Sequence, residues 1–380
     1  MVVRTPDEGL QPQAAVDRAG LVHVVYFKGP AAQGDLFYTR LNSVTGRFSG
    51  ALRVNTHAGS AIATGTVRGA HVALGRNGRV HVAWMGSSVA THRATGGATP
   101  MLYARMNDAG TAFEPERNLL QFATGLDGGG SIAADASGRV YVAWHAGGPS
   151  SQGEGDRRVW VARSKDDGRT FAREVAASPP EQGACGCCGM RAAVDSAGTL
   201  FMLFRSAREM VNRDTFMLTS RDHGVSFIAD KLHGWNVGAC QMSTYALAAT
   251  GERTFAAWET AGQVHWLSVD SASGGRSAIP RPMARLARES TRRLPRPTRD
   301  RSCSSGLKAR DGTKADDWRG SGSTPRGVRT VLGDRRRGWQ YGVSPPRPRF
   351  LTAASRSCTN LEQVRQVRQV RRVRQVPGTS

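Results

Sequence analysis

The sequence predicts an all-β chain built as a propeller of small four-stranded blades, and three observations carry that expectation. An eight-residue turn, Ser164-Lys165-Asp166-Asp167-Gly168-Arg169-Thr170-Phe171, returns as Ser220-Arg221-Asp222-His223-Gly224-Val225-Ser226-Phe227 and, more loosely, as Met106–Phe113 and Leu41–Phe48. A strand, tight turn, strand unit at Ala14–Tyr26 recurs at His71–Trp84, Ile132–Trp144, Ala192–Phe204 and Tyr245–Trp258. The two patterns interlock at a period of roughly 60 residues, the signature of an array of small sheets.

Each element has a local cause. In the first unit Val and aromatic residues alternate with a period of two, which marks a half-buried strand, and the runs are split by Asp/Asn-x-Gly-type turns at Gly20, Gly78, Gly138, Gly198 and Gly251. Every second run ends in a large aromatic: Tyr26, Trp84, Trp144, Phe204, Trp258. In the eight-residue turn the Asp carboxylate can accept backbone N–H groups further along the loop, and Gly supplies a positive φ. In the worn copy Leu41–Phe48, Ser43 and Thr45 stand where the Asp and Gly belong. One repeat is therefore strand A, turn, strand B, loop, strand C, Asp turn, strand D. Blades are expected at about 12–55, 70–119, 130–177 and 190–231, with a fifth from 243 that lacks the Asp turn.

The repeated turn resembles the Asp-box of the sialidase (neuraminidase) superfamily, also called the BNR repeat. The resemblance implies a sialidase-like β-propeller of six-bladed type, of which about five blades are present over residues 1–275. It also implies an exo-acting glycoside hydrolase for terminal acidic sugars, with a glycan or glycoconjugate as partner and no required cofactor. A non-catalytic propeller that binds glycan or protein is the alternative, and a monomer is expected. Relatives of this kind are commonly exported, yet the N-terminus has no apolar segment of signal-peptide type. No stretch approaches the length of a membrane span.

Charge separates the chain in two. Residues 1–275 hold 26 of the 52 Lys+Arg and 23 of the 30 Asp+Glu, so of the net +22 only +3 belongs to the repeats and +19 to the tail. The propeller is thus no nucleic-acid binder by charge. Residues 276–380 are rich in Arg, Pro and Ser without strand alternation, and are expected to be disordered. The abrupt change inside a blade favours an out-of-frame tail over a basic arm for anionic partners.

Strand order fixes the faces. A–B and C–D turns emerge on one side, while B–C and D–A loops emerge on the other, so function is expected on the latter face. The resemblance implies three arginines for a substrate carboxylate, a Tyr nucleophile with a Glu base, and an Asp acid/base. The family's first arginine is absent, because Leu10-Gln11-Pro12 stands in its place. Arg68, Arg191 and Arg205 form a candidate triad, each also readable as a structural hydrogen-bond partner. Asp127, in Leu126-Asp127-Gly128-Gly129-Gly130, is the candidate acid in a flexible loop open to a ligand, or else an Asx turn. Tyr245 is the candidate nucleophile and Glu259 its base, against a packing role for the tyrosine. Cys185, Cys187, Cys188 and Cys240 begin neighbouring strand-A segments. They are candidate ligands for a soft metal such as copper or zinc, a disulfide from Cys187 or Cys188 to Cys240, or unpaired buried thiols. His23 and His81 hold a position filled elsewhere by Tyr141 and Phe201, and are expected to be structural.

Overall fold

The computed structural model describes residues 3–65, 69–92, 94, 97–239, 241–250 and 253–270, and the backbone of 276–282. Twenty strands form five antiparallel sheets of four, each in sequence order. The first comprises β1 (Leu10–Val16), β2 (Val22–Lys28), β3 (Asp35–Leu41) and β4 (Leu52–Arg53). The second comprises β5 (His71–Leu74), β6 (Val80–Met85), β7 (Met101–Arg105) and β8 (Arg117–Asn118). The third holds β9 (Gly130–Ala134), β10 (Val140–Ala146), β11 (Arg158–Ser164) and β12 (Ala172–Ala176). The fourth holds β13 (Arg191–Val194), β14 (Leu200–Arg205), β15 (Thr215–Ser220) and β16 (Ile228–His233). The fifth holds β17 (Tyr245–Thr250), β18 (Arg253–Thr260), β19 (Gln263–Asp270) and β20 (Arg276–Pro282). The chain is an all-β, five-bladed propeller.

β20 corrects the expected boundary at 275. A fourth strand pairs with β19 from His265↔Pro282 to Val269↔Arg276, although the sequence there already reads as tail. Residues 283–380, where disorder is expected, lie outside the described residues.

Period-two alternation explains how the blades stack. In β14, Leu200, Met202 and Phe204 pack with Val159 and Val161 of the preceding blade, while Phe201 and Leu203 pack with Tyr245 and Trp258 of the next. Trp84 likewise meets Val25 and Phe27 of blade one, and Trp144 meets Met101 and Tyr103 of blade two. The strand-B aromatics of blades two to five are thus pegs in the blade before, each burying on the order of 200 Å². Tyr26 packs only with its own blade, against Val22, Val24 and Phe37. The inner strands adjoin in series, β1 on β5, β5 on β9, β9 on β13 and β13 on β17. Among the described residues no comparable packing returns β17 to β1, and Leu10, Val16, Val264 and Trp266 stay exposed at the two ends.

The Asp turns close as their sequence requires. Asp166 accepts from the N–H (2.9 Å) and hydroxyl (2.6 Å) of Thr170 and from the Ser164 hydroxyl (2.7 Å), and Ser164 Oγ accepts the Gly168 N–H. Asp222, Ser220, Ser226 and Gly224 repeat the same bonds. Partial burial pushes the Asp166 carboxyl up, but the Thr170 and Ser164 bonds outweigh it and hold the group at about 2. The Ser226 bonds hold Asp222 lower still. Substituting alanine for Asp166 or Asp222 should cost about 1–2 kcal/mol each, since charge-assisted bonds to several N–H and O–H donors vanish. Urea unfolding of the two variants measures it, and unchanged midpoints would remove the turn from the stability account.

The looser copies anchor one residue earlier than the sequence alignment places them. Asn107 Oδ1 accepts the Thr111 N–H, and Asn42 Oδ1 accepts from Val44 and Thr45, with Gly110 and Gly46 at positive φ. Neither Asp108 nor Ser43 takes the role of Asp166. Asp108 instead takes Arg79 (2.6 Å) and Arg169 (3.1 Å) in ion pairs, while the adjoining Asp167 takes Arg79 (2.5 Å) and Arg105 (3.7 Å). Blades two and three are thereby fastened on the turn side. There the Asp167 N–H also reaches the Gly138 carbonyl of an A–B turn, which places both kinds of turn on one face. His23 and His81 each contact a tyrosine hydroxyl, Tyr38 and Tyr103, at 2.7 Å, and are structural.

Candidate functional site

The opposite face is built from the D–A and B–C loops. Because the A–B turns lie on the other side, the first residue of every inner strand sits at this face. His71 opens β5 and Arg191 opens β13. Their side chains meet, Arg191 Nη1 donating to His71 Nε2 at 3.3 Å and to the Met190 carbonyl at 2.7 Å. Blades two and four are not sequence neighbours, so this contact spans the inner strands. The bond requires a neutral imidazole as acceptor, and burial together with the Arg191 charge pushes the His71 pKa well down. Burial lowers Arg191 to about 10, although part of the residue still reaches solvent. Among the described residues no carboxylate pairs with Arg191.

Arg205, the last residue of β14, is fully buried and also lacks a carboxylate among the described residues. Its Nε donates to Ser243 Oγ (2.8 Å), Nη1 to the Arg213 carbonyl (2.6 Å), and Nη2 to the Glu259 carbonyl (2.7 Å) and Thr260 Oγ1 (3.3 Å). The guanidinium lies 4.8 Å from the Trp235 ring centroid and 5.6 Å from that of Tyr245. It is a structural cross-tie between blades four and five. Arg68, the third member of the candidate triad, lies outside the described residues. Among the described residues Arg191 and Arg205 share no hydrogen-bond partner.

Tyr245 and Glu259 are not joined either. The Tyr245 hydroxyl is buried, with Thr215 Oγ1 at 3.4 Å, and burial pushes its pKa well above 10. The Glu259 carboxylate accepts the Gly262 N–H at 2.7 Å and thereby caps its own hairpin. The tyrosine packs between blades four and five.

Asp127 pairs with Arg157 at 3.2 Å, Arg157 with Glu154 at 3.2 Å, and Glu154 with Arg213 at 2.9 Å. Within its loop Gly128 and Gly129 are buried, while the Asp127 side chain is part-exposed. A Cβ on Gly128 would lie 1.7 Å from the Gly186 carbonyl oxygen, and one on Gly186 would meet the Asp127 carboxylate at 2.7 Å. The glycines serve close backbone packing of two loops, which a sequence pattern does not distinguish from flexibility. His145 is buried beneath, with neither ring nitrogen hydrogen-bonded, and burial lowers its pKa to about 4.

The cysteine loop lies against the same wall. Cys187 is in a disulfide, whereas Cys185 and Cys188 are buried free thiols, and Cys240 lies outside the described residues. All three sulfurs lie within 4.8 Å of one another. Sequence reasoning missed His71, Arg157, Glu154, Arg213 and Ser243. His71 alone carried a signal, since it opens strand A as Arg191 does.

No protein-family model matches the chain, and no curated protein does. The propeller is similar in shape to solved structures at low identity. A Hadza microbial sialidase aligns at TM-score 0.42 and 14% identity over 66% of this chain and 55% of that one. The NanB sialidase of Streptococcus pneumoniae aligns at 0.48 and 9%, over 74% and 63%. An α-L-arabinanase of Penicillium chrysogenum, solved with arabinobiose, aligns at 0.47 and 12%, over 74% and 82%. The chain thus spans under two thirds of the length of both sialidases. No helix among the described residues is long and apolar enough to cross a membrane.

Proposed function

We propose that the chain is a glycan-acting propeller that takes a terminal acidic sugar on its loop face, with Arg191 holding the sugar carboxylate. The single observation that carries this reading is Arg191 itself. A desolvated guanidinium, on a residue that partly reaches solvent and paired with no described carboxylate, favours an anionic ligand, and its planar fork suits a carboxylate. The Asp-box reading of the Ser164 and Ser220 turns supports the same class of ligand.

Sialidase-type hydrolysis is the finer form of this reading. It needs an activated nucleophile, and the buried Tyr245 phenol and hairpin-bound Glu259 do not supply one. Recognition without turnover is therefore the chemistry the described residues support. Calorimetric titration with sialyllactose should show binding that lactose does not, and Arg191→Ala should weaken it at least tenfold. Equal affinity for the two sugars, or an unaffected Arg191→Ala, would reject the proposal. Turnover of a fluorogenic sialoside would instead establish the hydrolase.

A further inference from the structure

A second site stands apart from Arg191, in the loop between β12 and β13. Cys185 Sγ lies 3.2 Å from Cys187 Sγ and 3.1 Å from Cys188 Sγ. The loop is held rigidly: the Cys185 N–H donates to the Arg205 carbonyl, Cys188 N–H to the Cys185 carbonyl, and Gly189 N–H to the Ser243 carbonyl. Cys185 and Cys188 are wholly buried, and Cys187 is partly exposed.

Arg205 and the Arg213–Glu154 ion pair stand beside this pocket. Arg205 donates from Nε to Ser243 Oγ, and the Ser243 carbonyl accepts the N–H of Gly189, the residue after Cys188. The Cys185 thiol donates to Cys188 Sγ within the same loop.

We propose that Cys185, Cys187 and Cys188 form a redox-gated site for one thiophilic metal ion, Cu(I), open only when the Cys187 disulfide is reduced. In the oxidised protein two sulfurs are available and the third is bonded to sulfur. A dithiol or phosphine reductant delivers two electrons, with two protons from solvent, and the disulfide opens to two thiols. Cu(I) then displaces the protons of the three thiols and takes three sulfur ligands. Three sulfurs around one ion at about 2.3 Å stand roughly 4 Å apart, so Cys187 and Cys188 need move less than about 1 Å from Cys185. Among the described residues no His, Asp or Glu joins the three sulfurs, and an all-sulfur set of soft donors suits Cu(I), while the second thiol released by the reduction keeps its proton.

The test uses the full chain with Cys303→Ser and Cys358→Ser as background. Protein reduced with a phosphine and desalted without oxygen is titrated against Cu(I) held by bicinchoninate. The reduced chain is expected to withdraw one Cu(I), the oxidised chain none, and X-ray absorption should show a sulfur-only shell. Cys185→Ser and Cys188→Ser should each weaken uptake at least 100-fold. Cys187→Ala leaves the buried thiols in place and should fail even when reduced, which keeps the test independent of core folding. Failure of the reduced chain to compete for copper would overturn the proposal. So would uptake by the oxidised chain, or undiminished uptake by the three single variants.

Discussion

Arg205→Ala should destabilise the protein by on the order of 3–5 kcal/mol, the largest effect expected of any single substitution considered. The change removes donors from two main-chain carbonyls and two hydroxyls, and a buried acceptor left without a partner costs about 1–3 kcal/mol. It also empties the space between Trp235 and Tyr245. Against this stands one gain, since the buried cation has no described carboxylate to offset its desolvation. The lost bonds come from three separate segments around Arg213, Ser243 and Glu259, so they cannot re-pair together, and the loss wins. Arg205→Lys keeps the charge but not the fork, and should fall between the two. For a folded region of this size a 3 kcal/mol loss lowers Tm by roughly 6–12 °C. A shift below about 1 °C would show that solvent or neighbouring groups replace the guanidinium.

Acidification from pH 6.5 to 4 should cost about 3 kcal/mol through His145 alone. Burial lowers its pKa to about 4, against 6.5 for an unhindered imidazole. Above pH 6.5 both folded and unfolded forms are neutral, and the group adds no pH dependence. Below 6.5 the unfolded chain takes a proton that the folded chain refuses, so stability falls by about 1.4 kcal/mol per unit until the folded imidazole titrates near 4. His71 shifts in the same direction and adds to the slope. The carboxylate of Asp166 is held at about 2 and contributes mostly below this window. Urea midpoints at pH 7, 6, 5 and 4.5 measure the slope, and His145→Gln should flatten it. An unchanged slope in that variant would mean that water reaches the ring.

The blade grammar was legible because its causes are local. Alternation in β14, the Asp166 and Asp222 turns and the aromatic at each strand-B end depend on residues a few positions apart, and all stand where the repeats put them. The shift from Asp108 to Asn107 was not legible. Either side chain suits the turn, and only the cross-blade arginines decide that Asp108 faces Arg79. β20 escaped for a related reason, since a strand at a sheet edge needs only a partner, which β19 provides.

The candidate site was much less legible. Arg191, Arg205, Tyr245 and Glu259 were identified by position on the loop face, and the structure sets Arg205 against the Tyr245 ring and the Glu259 carbonyl while Arg191 meets His71. By itself the sequence determined the all-β class, the period and the side on which the loops emerge, because strand alternation and tight turns are set within a dozen residues. Tertiary structure alone decided that Arg191 meets His71 and that Arg205 ties two blades. Those pairings join residues up to 120 positions apart, and only the closing of blades onto one another brings them within bonding distance.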